Sequence, residues 1–110
     1  MSSTSKYNVL VSGKARDMLF EHARFLAQVS VQAAEKLFDQ FEDRVSALET
    51  MPERCAYYDN PFVRPRQYRK LSLGSYLLIL FQVADNTVYI ELIIDGRADS
   101  KPLVDFLGNR

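Results

Sequence analysis

Residues 76–94 read YLLILFQVADNTVYIELII, and this stretch decides the fold. Residues 76–83 are almost wholly apolar, which predicts a strand covered on both faces and therefore central in a sheet. Ala84-Asp85-Asn86 supplies turn chemistry. Residues 87–94 then return as a second strand. Strict alternation would put Val88, Ile90, Leu92 and Ile94 on one face, with Tyr89 and Glu91 on the other. Asp95-Gly96 ends that strand.

Upstream of this hairpin, residues 67–73 form a further strand, broken from residue 76 by Leu73-Gly74-Ser75, so three strands make a meander. Residues 53–65 have no period and carry Pro61 and Pro65. They form a loop of about a dozen residues, a length at which loops tend to be functional or mobile. Tyr57, Tyr58 and Phe62 predict that this loop packs onto something. Nearer the start, residues 6–12 (KYNVLVS) read as a first strand, and Ser12-Gly13 breaks it. From residue 14 to 29, Ala15, Leu19, His22, Leu26 and Val29 share one helical face. Ser30 is the N-cap of a second helix, in which Ala34, Leu37, Phe38, Phe41, Val45 and Leu48 keep helical spacing until Pro52. The two helices form an αα-hairpin. At the other end, Asp99 or Ser100 would cap a last short helix, with Pro102 in its first turn and Gly108 closing it. The order is β-α-α-β-β-β-α. It predicts an α+β fold with a helical hairpin on one face of an antiparallel-type four-stranded sheet, the first strand beside the last. One domain over residues 1–110 is expected, with residues 1–5 flexible.

Composition narrows the function classes. The chain is 47% hydrophobic and 25% charged, the balance of a folded globular protein. Cys55 is the single cysteine and His22 the single histidine, so no internal disulfide can form and zinc has few ligands. Neither a metal nor a cofactor is expected. The first residues hold no apolar run suited to a signal peptide, and no stretch reaches membrane-spanning length. The expectation is a cytoplasmic bacterial protein. Fourteen basic residues balance 14 acidic ones, yet Arg64, Arg66, Arg69 and Lys70 fall within residues 64–70 with no acid among them. One basic knot on a neutral chain is unlike a general nucleic-acid binder. It suits local capture of phosphate or carboxylate.

This order of elements carries a set of short words: LETMPE at 48–53, YRKL at 68–71, GSY at 74–76 and VYIELIIDGRAD at 88–99. With Ala15 and Leu19 after the opening strand, the chain resembles the RelE/ParE superfamily of type II toxin–antitoxin toxins, the ParE-like branch more closely. The resemblance covers nearly the whole chain and rests on the order and spacing of the words, none of which is diagnostic alone. It implies a growth-inhibitory toxin, of the kind used in plasmid stabilization, neutralised by a cognate antitoxin. A homodimer is a further expectation for the free toxin. It also implies one of two targets. RelE-like members cut mRNA on the ribosome, whereas ParE-like members poison DNA gyrase.

A ribosome-dependent endoribonuclease needs cations to offset charge on the scissile phosphate and a group to activate the 2′-hydroxyl. The resemblance implies Lys70 as its strand lysine and Arg97 as its post-strand arginine, with Arg69 a substitute. The RelE-like resemblance also implies an arginine on the next strand and an aromatic or histidine in the C-terminal element. Yet the strand at 76–83 has no basic residue, and residues 100–107 (SKPLVDFL) offer neither tyrosine nor histidine. Both absences weigh against the nuclease and for a non-enzymatic toxin directed at gyrase. A degenerate toxin kept as an antitoxin-binding regulator is the third reading. Contacts to target or antitoxin are assigned to Arg64, Arg66, Arg69 and Arg97. The bland alternatives are an ion pair of Arg97 with Asp95 or Asp99, and a cross-strand pair of Arg69 with Glu91. Arg64 and Arg66 would then be ordinary solvated loop. His22 reads as a core histidine, Cys55 as a structural thiol, and Tyr57 and Tyr58 as cover for the sheet.

Overall fold

The computed structural model describes residues 6–97. The helix expected after Asp99 and the flexible tail expected at 1–5 lie outside the described residues. Strand β1 (Asn8–Val11) leads through Ser12 into helix α1 (Gly13–Ala27). The Ser12 hydroxyl accepts the Ala15 N–H at 2.9 Å, satisfying one of the amides that a helix start leaves open. Helix α2 (Val31–Leu48) starts the same way, with Ser30 accepting from Ala33 at 3.1 Å. Three residues separate the helices, which fixes them as an antiparallel hairpin. Ala15, Leu19 and Ala23 of α1 and Ala34, Leu37 and Leu48 of α2 are buried toward the sheet. Val29, expected on the apolar face, is 86% exposed, because α1 ends at Ala27 and the turn carries Val29 outward. Helix α2 ends before Pro52. Met51 takes a left-handed conformation (φ 51°), and Pro52 opens a single 3-10 turn, Pro52–Arg54.

Strands β2 (Arg69–Leu73), β3 (Leu77–Ala84) and β4 (Thr87–Asp95) follow as the expected meander. Gly74 sits in the β2–β3 turn at φ 64°, a conformation glycine adopts without steric cost. The sheet order is β1-β4-β3-β2, so β3 is interior, as its apolar sequence requires. The meander pairs antiparallel, and β1 joins β4 in parallel across the helical hairpin, giving a mixed sheet.

Strict alternation fails in β4. Leu80 of β3 lies opposite Leu92, but its neighbour Phe81 lies opposite Ile90, so Glu91 is the extra residue of a β-bulge. The phase of the strand reverses there. Val88, Ile90 and Ile93 face the helices, in one core cluster with Ile79 and Phe81. Leu92 and Ile94, expected beside Val88 and Ile90, face the opposite side. They pack there with Leu80, Val63 and the fully buried Tyr68. The bulge is held from both sides. Ser12 Oγ donates to the Glu91 carbonyl at 3.1 Å, and the Tyr68 hydroxyl donates to Glu91 Oε1 at 2.9 Å. The sheet thus has two apolar faces. Helices cover one, and the 58–68 segment, through Tyr58 and Val63, covers part of the other. Each fully buried Leu or Ile contributes about 1.5–3 kcal/mol on either face.

Candidate functional site

The segment after the 3-10 turn does not stand clear of the sheet. Tyr57 bridges to Arg69 in antiparallel fashion, Lys70 N–H donates to the Ala56 carbonyl at 2.9 Å, and Tyr58 N–H donates to the Tyr68 carbonyl at 2.8 Å. This brings the loop onto the start of β2. Arg69 fastens it there. Its Nη1 donates to the carbonyls of Glu53 (3.0 Å) and Cys55 (2.7 Å), and its Nη2 donates to the Tyr57 hydroxyl (2.9 Å). The same guanidinium lies 4.1 Å from the centre of the Tyr57 ring, a cation–π contact. The cross-strand pair of Arg69 with Glu91 is not formed. Glu91 is taken by Tyr68, and Arg69 opposes Phe81 on the helix-side face.

Arg66 reaches the same ring from the next turn, its guanidinium 5.4 Å from the ring centre. Its backbone is left-handed, at φ 64°, inside a turn closed by Gln67 N–H on the Arg64 carbonyl. The Gln67 side-chain oxygen accepts the Arg64 N–H at 3.1 Å, a second bond that ties the backbone of this basic turn. Arg64 itself is exposed. Between the turn, the 3-10 segment and the rim of β3 lies an open cleft of about 340 Å³, lined by Glu53, Tyr57, Arg66, Gln67, Arg69 and Gln82 among others.

Lys70 follows Arg69 on a strand, where consecutive side chains take opposite faces. It lies opposite Leu80, on the face away from the helices, and is exposed. Arg97 belongs to the other end of the sheet. The row that joins β3 to the end of β4 pairs Leu77 with Asp95, whereas Arg69 pairs with Phe81. Those rows are four residues apart on β3, about 13 Å at roughly 3.3 Å per residue. Arg97 is also bound to its own surroundings. Nε and Nη2 donate to the two Asp95 oxygens at 3.2 and 3.1 Å, its backbone N–H donates to Oδ1 at 2.8 Å, and its guanidinium lies 3.8 Å from the Tyr76 ring centre. These hydrogen bonds hold the Asp95 carboxyl below its ordinary value, helped by the charges of Arg97 and, last, of His22 on α1. The Asp95 hydrogen bond likewise raises the Arg97 guanidinium. Of the two ion pairs foreseen for Arg97, the Asp95 one forms, and Asp99 lies outside the described residues. The structure therefore brings Arg66 and Arg69 together around Tyr57 and keeps Lys70 and Arg97 apart from them.

Tyr57 is the member of this cluster that sequence reasoning passed over as sheet cover. Its signal was present, an aromatic seven residues before the basic stretch that starts at Arg64, but nothing in the spacing shows that the loop folds back to Arg69. His22 is half-buried on α1, and Cys55 is buried beside the carbonyl that Arg69 engages. Among the described residues no cluster of histidine, cysteine and carboxylate side chains could hold a metal, and no helix is long and apolar enough to cross a membrane.

A helical hairpin on a bulged four-stranded sheet places the chain in the RelE/ParE fold class. A solved structure titled "Chromosomal ParDE TA system from P. aeruginosa" has the same fold at a TM-score of 0.65, covering 84% of this chain and 98% of that one at 17% identity. The sequence itself matches the family described as "ParE toxin of type II toxin-antitoxin system, parDE" over residues 9–100, and the chain belongs to that family. A search of curated proteins finds no match.

Proposed function

We propose that this protein is the toxin of a cytoplasmic toxin–antitoxin pair, that it inhibits growth by binding DNA gyrase, and that it is not a nuclease. The observation that carries the last part is the dispersal of the cations a nuclease would need. Arg69 and Lys70 take opposite faces of β2, and Arg97 is tied to Asp95 and Tyr76 at the far end of the sheet. Charge developing on one scissile phosphate needs donors aimed at one point, and these three are not so aimed. Strand β3, which runs between them, has no basic residue. The parts that are left suit binding: a clamped basic turn with Arg64 and Arg66, Arg69 beneath it, and Arg97 on the opposite rim.

An antitoxin would cover the helical hairpin. Phe20, Phe25, Val29 and Val31 all present large apolar surface to solvent there. An amphipathic segment can bury such a surface, and exposed apolar patches on small domains mark partner sites. The test of the non-nuclease reading uses ribosomes programmed with a defined mRNA. Wild-type protein should leave the message intact. Codon-specific cuts that disappear in Arg97→Ala or Lys70→Ala would establish the nuclease instead.

A further inference from the structure

We propose that the cleft between Arg66, Tyr57 and Arg69 is a receptor for a carboxylate side chain of an acidic peptide segment on a protein partner. The inference rests on the reading of the basic turn as a protein-contact surface and adds the chemistry of what it takes.

The cleft has more donors than acceptors. Arg69 spends Nη1 on two backbone carbonyls and one Nη2 proton on Tyr57, leaving its Nε–H and the second Nη2 proton unpaired among the described residues. Arg66 has the Tyr57 ring as its contact and no hydrogen bond or ion pair among the described residues. The Tyr57 oxygen accepts from Arg69, so its own proton is free to be given away. Gln67 uses its carbonyl oxygen on Arg64 N–H, and its amide N–H group is the part left over. Glu53 is the carboxylate at the rim, and neither arginine forms an ion pair with it; its Oε1 accepts the Tyr7 hydroxyl at 3.4 Å. Two guanidiniums against one carboxylate leave the cleft cationic, and these residues together line a space of about 340 Å³.

The ligand that completes this set is an anion with planar, paired acceptors, which matches the guanidinium edge. A nucleic-acid strand fits less well. Such strands are held by a long basic groove with open aromatic faces for the bases. Here the molecule carries no net charge, and the Tyr57 ring is occupied by the guanidiniums of Arg69 and Arg66. A single carboxylate in a single cleft asks for neither feature.

The test follows the arginine Nε–Hε and Tyr57 ring resonances of the full chain while acetyl-Glu-Glu-Glu-amide is added. The matched acetyl-Gln-Gln-Gln-amide, inorganic phosphate and a short single-stranded DNA serve as comparison ligands. The glutamate peptide should shift the Arg66, Arg69 and Tyr57 signals and the glutamine peptide should not. Arg66→Gln should weaken binding at least about tenfold, because a charge-assisted bond is lost. Tyr57→Phe should weaken it less, since the ring and both cations stay. Arg69→Ala removes the loop anchor and can unfold the cleft, so Arg66→Gln, whose guanidinium holds no backbone group, is the decisive variant. No shift with the glutamate peptide, equal shifts with the glutamine peptide, unchanged affinity in Arg66→Gln, or tighter binding of phosphate or DNA at these resonances would each overturn the proposal. Gyrase inhibition is read separately. A chain that inhibits gyrase yet ignores the peptide would refute the cleft alone, and one that binds the peptide yet ignores gyrase would refute the target alone.

Discussion

Tyr68 is fully buried among aliphatic side chains, and its hydroxyl meets the Glu91 carboxylate at 2.9 Å. Removing that oxygen leaves a half-buried carboxylate short of a donor. Tyr68→Phe should therefore lose about 1–2 kcal/mol of stability, seen as a lower urea midpoint with an unchanged m-value. The Asp95–Arg97 pair has a pH signature. Because the Asp95 carboxyl lies below its ordinary 3.8 in the folded chain, its contribution is present above that pH and is lost as pH falls through the lower folded value. Asp95→Asn should be less stable than wild type near neutrality, and thermal unfolding should show that gap closing in acid. The gap should be small, since the pair is solvent-exposed and screened. At this scale the sequence was partly legible. The Arg97 ion pair could be foreseen because Asp95 is two residues away. The fate of Arg69 could not, because its partners are backbone carbonyls of a loop with no periodic pattern.

Ser12 and Ser30 are both helix caps, but only Ser12 also serves the sheet. Its hydroxyl accepts from Ala15 and donates to the carbonyl of the bulged Glu91, whereas Ser30 accepts from Ala33. Ser30→Ala should cost about 1 kcal/mol. Ser12→Ala should cost more, by about another 1 kcal/mol for the lost bond to the bulge. Thermal unfolding of both variants checks the order, and equal melting temperatures would mean that Ser12 does nothing for the bulge. The helical hairpin, the meander and the central place of β3 were legible because their apolar periods differ so plainly. The bulge was hidden. Leu92, Ile93 and Ile94 are all apolar, so the sequence satisfies either phase of alternation, and only the pairing of Phe81 with Ile90 reveals the slip. That slip gives the sheet a second apolar face, where Leu92 and Ile94 pack with Tyr68 and Val63.

Taken whole, the molecule is a member of the ParE toxin family in which Arg66 and Arg69 meet around Tyr57 while Lys70 and Arg97 lie apart from them. The order of elements carried the fold in the sequence, since each connection is short except the one that became the basic turn. The site was legible as a list of arginines but not as a place, because Arg66 and Arg69 meet only after residues 56–58 pair with the start of β2. The proposed target is DNA gyrase. The most direct measurement is supercoiling of relaxed plasmid by purified gyrase with increasing amounts of the full-length protein. Wild type should inhibit supercoiling or trap cleaved DNA, and Arg66→Gln should need a higher concentration for the same effect. Full supercoiling activity at a large molar excess of correctly folded protein would contradict the account.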